Sequence, residues 1–508
     1  MNNISITENG AIGFKTTGSK LVDLNFSATS YRNNPSEAVR HFEEAYAENP
    51  VLAMRWLFYC RDVRGGMGER AIPRAIYKWL QWKKPDVLKK VIDLLPEFGR
   101  WDDVVYLMEF SGVRDEAYNL VIKQLNSDMD NLRDGKSVSL LGKWLPSLGA
   151  SNKQVKMRAN YLAKRMNLSY TEYSRMCSAL RRQIGIVERQ MVNNDWSDIT
   201  YENLPSKANL KYRKAFLRHD PERYAEYIQK VNSGEAKMNA SVLMPYEIVH
   251  KYTRGHHNVY GGVQDELEAM WKNLPQIECN GLVMLDGSGS MSSTISGDYT
   301  AHDVADSLAI YFSEQTKGPM HGLFMTFGAK PRFVDISGCK NLYESLEVVS
   351  EHTDCSNTDI FAAYKMLADL AVSQGLKQED LPERIVIVSD MEFDYGCCGV
   401  YNDVKEGTPW WQMDTRYKQA DKALFDEIRA YWEARGYKMP KLVFWNVNSR
   451  SKTVPLTENE MGVVLMSGFS AQTVKMALTG QDDPFLALYE TLMTPRYDVV
   501  QERLMSKV

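Results

Sequence analysis

The sequence predicts two fold classes in one chain: an all-α, HEAT-like helical N-terminal half and an α/β, doubly wound, Rossmann-like half. Three observations lead there. The chain has 508 residues, too many for one compact core. Helix-length stretches separated by turn residues fill the region from about residue 35 to 231. From about residue 276 the pattern changes to short, continuous apolar runs alternating with helices, as in a parallel sheet covered on both faces. The expected divisions are an N-terminal arm over 1–30, a helical domain over 31–275 and a sheet domain over 276–508.

Composition narrows the class. Apolar residues make up 44% and charged residues 25%, which fits a soluble globular protein. The purely apolar runs are strand-sized, so no membrane span is expected. The opening MNNISITENG lacks a basic stretch followed by an apolar one, so a cytoplasmic protein is expected. The seven cysteines are scattered and odd in number, which points to free thiols; Cys397–Cys398 lacks zinc-ligand spacing. The net charge of -4 conceals a split: residues 1–275 carry 40 Lys+Arg against 32 Asp+Glu, whereas 276–508 carry 21 against 33. The first part can attract polyanions and the second can hold cations.

In the first part, the patterning predicts helices near 36–49, 51–61, 69–82, 86–95, 100–110, 114–130, 139–145, 151–166, 171–190, 206–217 and 221–231. Pairs of this length fit an irregular α-solenoid of the HEAT type; an unclassified helical bundle is the competing reading. In the second part, strands are expected near 281–285, 323–327, 384–388, 442–447 and 463–466. Helices are expected near 300–316, 358–374, 414–435 and 470–479. Ligands of such sheets bind beyond the carboxyl ends of the strands.

The first of these strands ends in Asp286-Gly287-Ser288-Gly289-Ser290. A carboxylate and two hydroxyls at alternating positions on a glycine-loosened loop can aim three oxygens at one point. Such oxygens suit a hard cation, Mg²⁺ or Mn²⁺. Asn357-Thr358-Asp359, opening a helix, and Asp390, ending the strand Ile385–Ser389, bring further oxygens to the same edge. This order resembles the metal-ion-dependent adhesion site of von Willebrand factor A domains. The resemblance implies that Asp286, Ser288, Ser290, Thr358 and Asp390 hold the ion, with Asp359 behind them, and that a partner's acidic side chain can complete its coordination.

The helical part carries Arg61-Asp62-Val63-Arg64-Gly65-Gly66-Met67-Gly68-Glu69-Arg70, Gly99-Arg100-Trp101-Asp102-Asp103, Lys143-Trp144-Leu145-Pro146-Ser147 and Pro205-Ser206-Lys207-Ala208. With the A-type half, these segments resemble the Ro autoantigen (TROVE) family, and more closely a poorly characterised Ro-like family of viruses, plants and bacteria. That resemblance implies a ribonucleoprotein scaffold for structured small RNA. The residues themselves supply Lys153, Lys156, Arg158, Lys164, Arg165, Arg175, Arg181, Arg182 and Arg189, with Tyr161, Tyr170 and Tyr173 interleaved. Lys207, Lys211, Arg213, Lys214 and Arg218 follow. Basic helices with aromatics can track phosphates and stack bases; a solvated helix face is the plainer reading. Arg61, Arg64 and Arg70 around the glycine-rich turn could cradle a phosphate, or could pair with Asp62 and Glu69. His256–His257 read as linker, and Trp410–Trp411 as a contact surface or a buried pair.

Three functions follow from these residues. An RNA-binding scaffold with a metal docking face accounts for the charge split. A metal-dependent protein-interaction module without RNA is the alternative. A hydrolase is disfavoured because hydroxyls dominate the site and no His or Lys base is placed beside it. No membrane partner and no DNA specificity are expected.

Overall fold

A computed structural model describes residues 4–6, 12–32, 34–240, 242–256, 258–276, 280–327, 331–352, 360–390, 428–447, 463–467 and 484–506. The chain forms two compact units, each built from two stretches. Met1–Glu37 joins Leu243–Thr491 in a sheet unit, and Ala38–Val242 joins Leu492–Val508 in a helical unit. These cuts differ from the divisions expected at residues 30 and 275. Both chain ends cross over: the start belongs with the sheet, and the end belongs with the helices.

In the sheet unit, β1 (Ile4–Ile6) and β2 (Ile12–Phe14) form an antiparallel pair. The central strands are β3 (Gly281–Asp286), β6 (Leu323–Phe327), β7 (Phe333–Asp335), β8 (Arg384–Ser389), β9 (Lys441–Asn446) and β10 (Val463–Ser467). Two short strands, β4 (Thr294–Ser296) and β5 (Tyr299–Thr300), pair beside them. The six-stranded sheet runs β10-β9-β8-β3-β6-β7. All neighbours are parallel except β6 and β7. Renumbered along the chain, this is the doubly wound order 3-2-1-4-5-6, whose winding reverses between β3 and β8. Helical N-terminal and mixed α/β C-terminal regions are thus both present.

The strands read as continuous apolar runs because both faces are covered. Leu282 and Met284 of β3, with Ile385 and Ile387 of β8, join a core with Ala363, Tyr364 and Leu367 of the helix Ile360–Gln374. The alternate residues, including Val283, Val386 and Trp445, are buried too. The helix Ala301–Gln315 packs on β3, and its Phe312 meets the Trp445 ring edge-on at 6.1 Å. Part of the expected arm is instead the helix Lys20–Phe26, capped by Ser19. Phe26 enters the same core, and its carbonyl accepts from Asn446 Nδ2 at 2.9 Å.

In the helical unit, successive helices pack against each other, among them Pro50–Arg61 with Ala71–Lys83, Trp101–Leu107 with Arg114–Arg133, and Ser206–His219 with Pro221–Asn232. The expected long helix near 171–190 is broken: Tyr170–Gln183 ends, Gly185 takes a positive φ of 66°, and Val187–Val192 follows. The arginine-rich turn and the Gly99–Asp103 segment form one ion-pair network. Arg61 Nε donates to Asp103 Oδ2 at 2.7 Å, and both side chains are buried. Arg74 bridges Asp102 at 2.8 Å and Asp103 at 3.0 Å, and Arg70 reaches Asp102 at 2.7 Å. Gly99 is obligatory in this network, since a Cβ there would overlap the Asp103 carboxylate and crowd Arg61.

Asp62, fully buried, accepts from the Arg64 backbone N–H at 3.0 Å and takes its side-chain partners from the chain end: Arg496 Nη2 donates at 2.8 Å and Tyr497 OH at 3.1 Å. Arg55 donates to the Leu492 carbonyl at 2.8 Å and pairs with Asp498 at 2.9 Å. The chain's last helix, Asp498–Met505, is therefore held by polar contacts to the helical unit. The expected pairing of these arginines with Asp62 and Glu69 is replaced by partners far along the chain.

Removing one member of a buried ion pair strands the other, at about 3–5 kcal/mol. Asp103→Ala is expected to destabilise the helical unit by about that amount, with a smaller loss for Asp103→Asn. Denaturant unfolding followed by circular dichroism measures it, and an unchanged midpoint would contradict the structural role given to this carboxylate.

Candidate metal centre and basic helical face

β3 stops at Asp286, whose carboxylate is almost wholly buried. Its Oδ1 accepts from the Ser288 backbone N–H at 2.9 Å, which turns the chain sharply. Its Oδ2 accepts from Ser389 Oγ at the end of β8. The Ser288 and Ser290 hydroxyls lie 2.9 Å apart. Asp390, fully buried, follows directly after β8. Asp286 and Asp390 thus close the two strands on either side of the winding reversal, where doubly wound sheets bind ligands.

Of the five expected metal residues, Asp286, Ser288 and Ser290 share one hydrogen-bonded loop, and Asp390 closes the neighbouring strand. Thr358 lies outside the described residues, as do Asn357 and Asp359. Ser389 was not singled out in the sequence, although it stands one position before Asp390; its hydroxyl fixes the Asp286 carboxylate. The donors here are all oxygens, two of them adjacent hydroxyls, which suits Mg²⁺ or Mn²⁺. Among the described residues there is no cluster of three or more His, Cys, Asp or Glu that could hold a metal ion.

The basic candidates fall into two groups. Lys153, Lys156, Lys164, Arg175 and Arg182 are exposed and make no ion pair within 4.0 Å among the described residues. Lys214 and Arg218 are similar, and Lys211 rests over the Tyr212 ring at 4.7 Å. The others are engaged. Arg158 pairs with Glu109 at 3.2 Å, and Arg165 with Asp115 at 2.7 Å. Arg181 donates to the carbonyls of Gly142 at 3.0 Å and Leu145 at 2.9 Å. Arg213 is buried and donates to the Leu210 carbonyl at 3.0 Å. Arg189 donates to the Ser178 carbonyl at 3.1 Å.

The tyrosines divide the same way. Tyr173 is buried, with its hydroxyl on the Pro146 carbonyl at 2.8 Å, and burial pushes its pKa upward. Tyr161 packs on Tyr118 at 4.6 Å. Tyr170 stays 60% exposed. Trp82, which the sequence did not flag, is 69% exposed with Lys83 Nζ over its ring at 4.0 Å. Cys60, Cys177 and Cys339 form no disulfide among the described residues. His257, Trp410–Trp411 and Cys397–Cys398 lie outside the described residues. No helix among the described residues is long and apolar enough to cross a membrane.

The class defined so far is a doubly wound α/β unit joined to a helical unit. Two families of unknown function match the chain: DUF2828 over residues 7–116 and 150–280, and DUF7788 over 280–490. The chain is similar to uncharacterized protein L728 of Acanthamoeba polyphaga mimivirus, at 27% identity over 95% of this chain and 86% of that protein. Among solved structures it is similar to the Ro (RSR) protein of Deinococcus radiodurans, at 13% identity and a TM-score of 0.37, over 91% of this chain and 92% of that one.

The helix Ala301–Gln315 begins just beyond the 286–290 loop with a buried polar cluster. Thr300 and Asp303 cap each other, and Asp303 also pairs with His250 at 2.8 Å and accepts from Thr253 Oγ1. One turn on, Asp306 is buried. Desolvation first, and then the Asp303 charge, raise its pKa well above the usual carboxylate range. The folded state therefore holds a proton at Asp306 that the unfolded chain releases near its ordinary, lower pKa. Asp306 favours the fold most below that value, and the benefit is lost as pH rises from about 4 toward the raised folded value. Asp306→Asn is expected to flatten this decline and to be at least as stable as wild type near pH 7. A pH series of thermal unfolding tests this; parallel curves for the two proteins would refute the buried-acid assignment.

Proposed function

We propose that this protein is an RNA-binding scaffold whose sheet unit is a von Willebrand A-type domain holding one Mg²⁺ or Mn²⁺. One observation carries the RNA part. Lys153, Lys156 and Lys164 are exposed, unmatched by carboxylates within ion-pair distance, and fall within roughly a quarter turn of each other on the helix Lys153–Arg165. Arg175 and Arg182, seven residues apart and also free of ion pairs, line up likewise on the next helix. Rows of uncompensated cations on a folded surface suit phosphate binding, where charge neutralisation supplies most of the affinity. The resemblance of the sequence motifs to Ro-like proteins agrees with this reading, as does a helical architecture of the HEAT type.

The metal part is supported by the sheet order with its antiparallel edge strand and by the oxygen-only donors at its winding reversal. Asp286, Ser288, Ser290 and Asp390 would hold the ion, with Thr358 as the expected fifth. The ion would supply a positive centre able to accept a carboxylate from a protein partner. Ser389 orients Asp286. The reading contains no catalytic step. Cytoplasmic residence belongs to the same proposal.

Two measurements test it. Isothermal titration with Mg²⁺ or Mn²⁺ should show one site in the wild type and none in Asp286→Ala; unchanged binding in the variant would remove the metal assignment. Filter binding of a structured small RNA should weaken steeply with salt. Arg175→Glu with Arg182→Glu should lower the logarithmic salt slope by about one for each phosphate no longer neutralised. Salt-independent or unaltered binding would argue for the protein-interaction module without RNA.

A further inference from the structure

The helices Lys153–Arg165 and Tyr170–Gln183 meet at a cleft of about 340 Å³, lined among others by Leu148, Asn160, Lys164, Asn167, Ser169 and Tyr170. No described carboxylate lines it. Its contents are two leucines, an alanine, two side-chain amides, a hydroxyl, a lysine and Tyr170, which is 60% exposed. The neighbouring carboxylate, Glu172, accepts from the Ser169 backbone N–H at 2.8 Å as the helix cap.

The cleft is held rigid from outside. The turn that carries Leu148 is fixed by Tyr173 OH on the Pro146 carbonyl at 2.8 Å and by Arg181 on the Leu145 carbonyl at 2.9 Å. On the other side Asn167 takes a left-handed φ of 54°, which orders the connection between the helices. Lys164 and Asn160 share the face of the helix that bears Lys153 and Lys156. The cleft therefore opens within the basic row.

We propose that this cleft seats one unpaired nucleotide of the RNA bound along that row, an inference that rests on the RNA reading above. The base stacks on the open face of Tyr170, as single-stranded RNA does on exposed aromatics. The Asn160 and Asn167 amides offer both donors and acceptors to a base edge. Lys164 takes the adjoining phosphate. The apolar floor at Leu148 excludes water from the base. A paired base, closed off in a deep A-form groove, cannot reach such a cleft, so the chemistry selects a loop, bulge or tail.

The test uses the full chain, fluorescence anisotropy and two RNAs: a hairpin with a single-stranded tail and a blunt duplex of equal length. Tyr170→Ala should weaken binding of the tailed RNA about tenfold, with its salt slope and the duplex affinity unchanged, and Tyr170→Phe should bind as wild type. Should Tyr170→Ala leave the tailed RNA unaffected while Arg175→Glu with Arg182→Glu weakens it, the cleft is wrong and the RNA reading stands. Equal losses on both RNAs would also overturn the cleft. If free adenosine monophosphate binds as tightly as the tailed RNA and Tyr170→Ala abolishes it, the cleft serves a soluble nucleotide and the proposal fails. Absence of any RNA binding by the wild-type chain removes both readings together.

Discussion

The pairing of β3 with β8 is the constraint on which the candidate metal centre depends. About a hundred residues of chain separate the two strands, yet they lie side by side and parallel, with Leu285 opposite Val388. Their register brings Asp286 level with the end of β8, and the hydrogen bond from Ser389 Oγ to Asp286 Oδ2 joins the two ends. Because both faces of these strands are apolar and buried, face alternation alone does not set their register; the polar residues at the strand ends and the Ser389–Asp286 hydrogen bond mark where the carboxylates emerge. Burying Asp286 and Asp390 at this edge has a cost that only hydrogen bonds and positive charge can offset. The Ser288 N–H and the Ser389 hydroxyl meet part of it for Asp286.

Parts of this arrangement were legible in the sequence for a plain reason. A central parallel strand is buried on both faces, so it appears as an unbroken apolar run ending at a polar residue. The runs ending at Asp286 and Ser389 are of that kind. β7 is a three-residue edge strand and gives no such run. The helix Lys20–Phe26 is too short for its period to stand out among the turn residues before it. Its burial depends on Asn446, 420 residues from Phe26, and on the sheet core, whose other residues begin only at Leu282. The assignment of Leu492–Val508 to the helical unit is non-local in the same way: Arg55, Asp62 and Lys90 decide it, and periodicity carries no trace of them.

The motif segments show the same division between what a string displays and what it does. The glycine-rich turn with Arg61, Arg64 and Arg70 could be taken for an anion cradle. Folded, Arg61 and Arg70 answer Asp103 and Asp102 of the Gly99–Asp103 segment, so the two motifs are halves of one device. Their residue types follow from packing: Gly99 leaves room for the ion pair, and Arg61 holds a raised pKa although desolvation, the largest single influence, acts against it, because Asp103 and its neighbours together outweigh that effect. Arg181 and Tyr173 likewise commit their polar groups to the 142–146 turn.

Among the basic residues the same division runs through the arginines. On the helices between residues 153 and 219, Arg158, Arg165, Arg181, Arg189 and Arg213 are engaged, whereas Arg175, Arg182 and Arg218 stay exposed. A planar guanidinium presents five donors in a fixed fork and can satisfy carbonyls and carboxylates within the fold. The lysines Lys153, Lys156 and Lys164 are left facing solvent, where a compact, strongly hydrated charge on a flexible stem loses least. Counting basic residues along the sequence merges these two populations. Separating them leaves a smaller, exposed set, and the positive surface that remains is the part free to meet a polyanion.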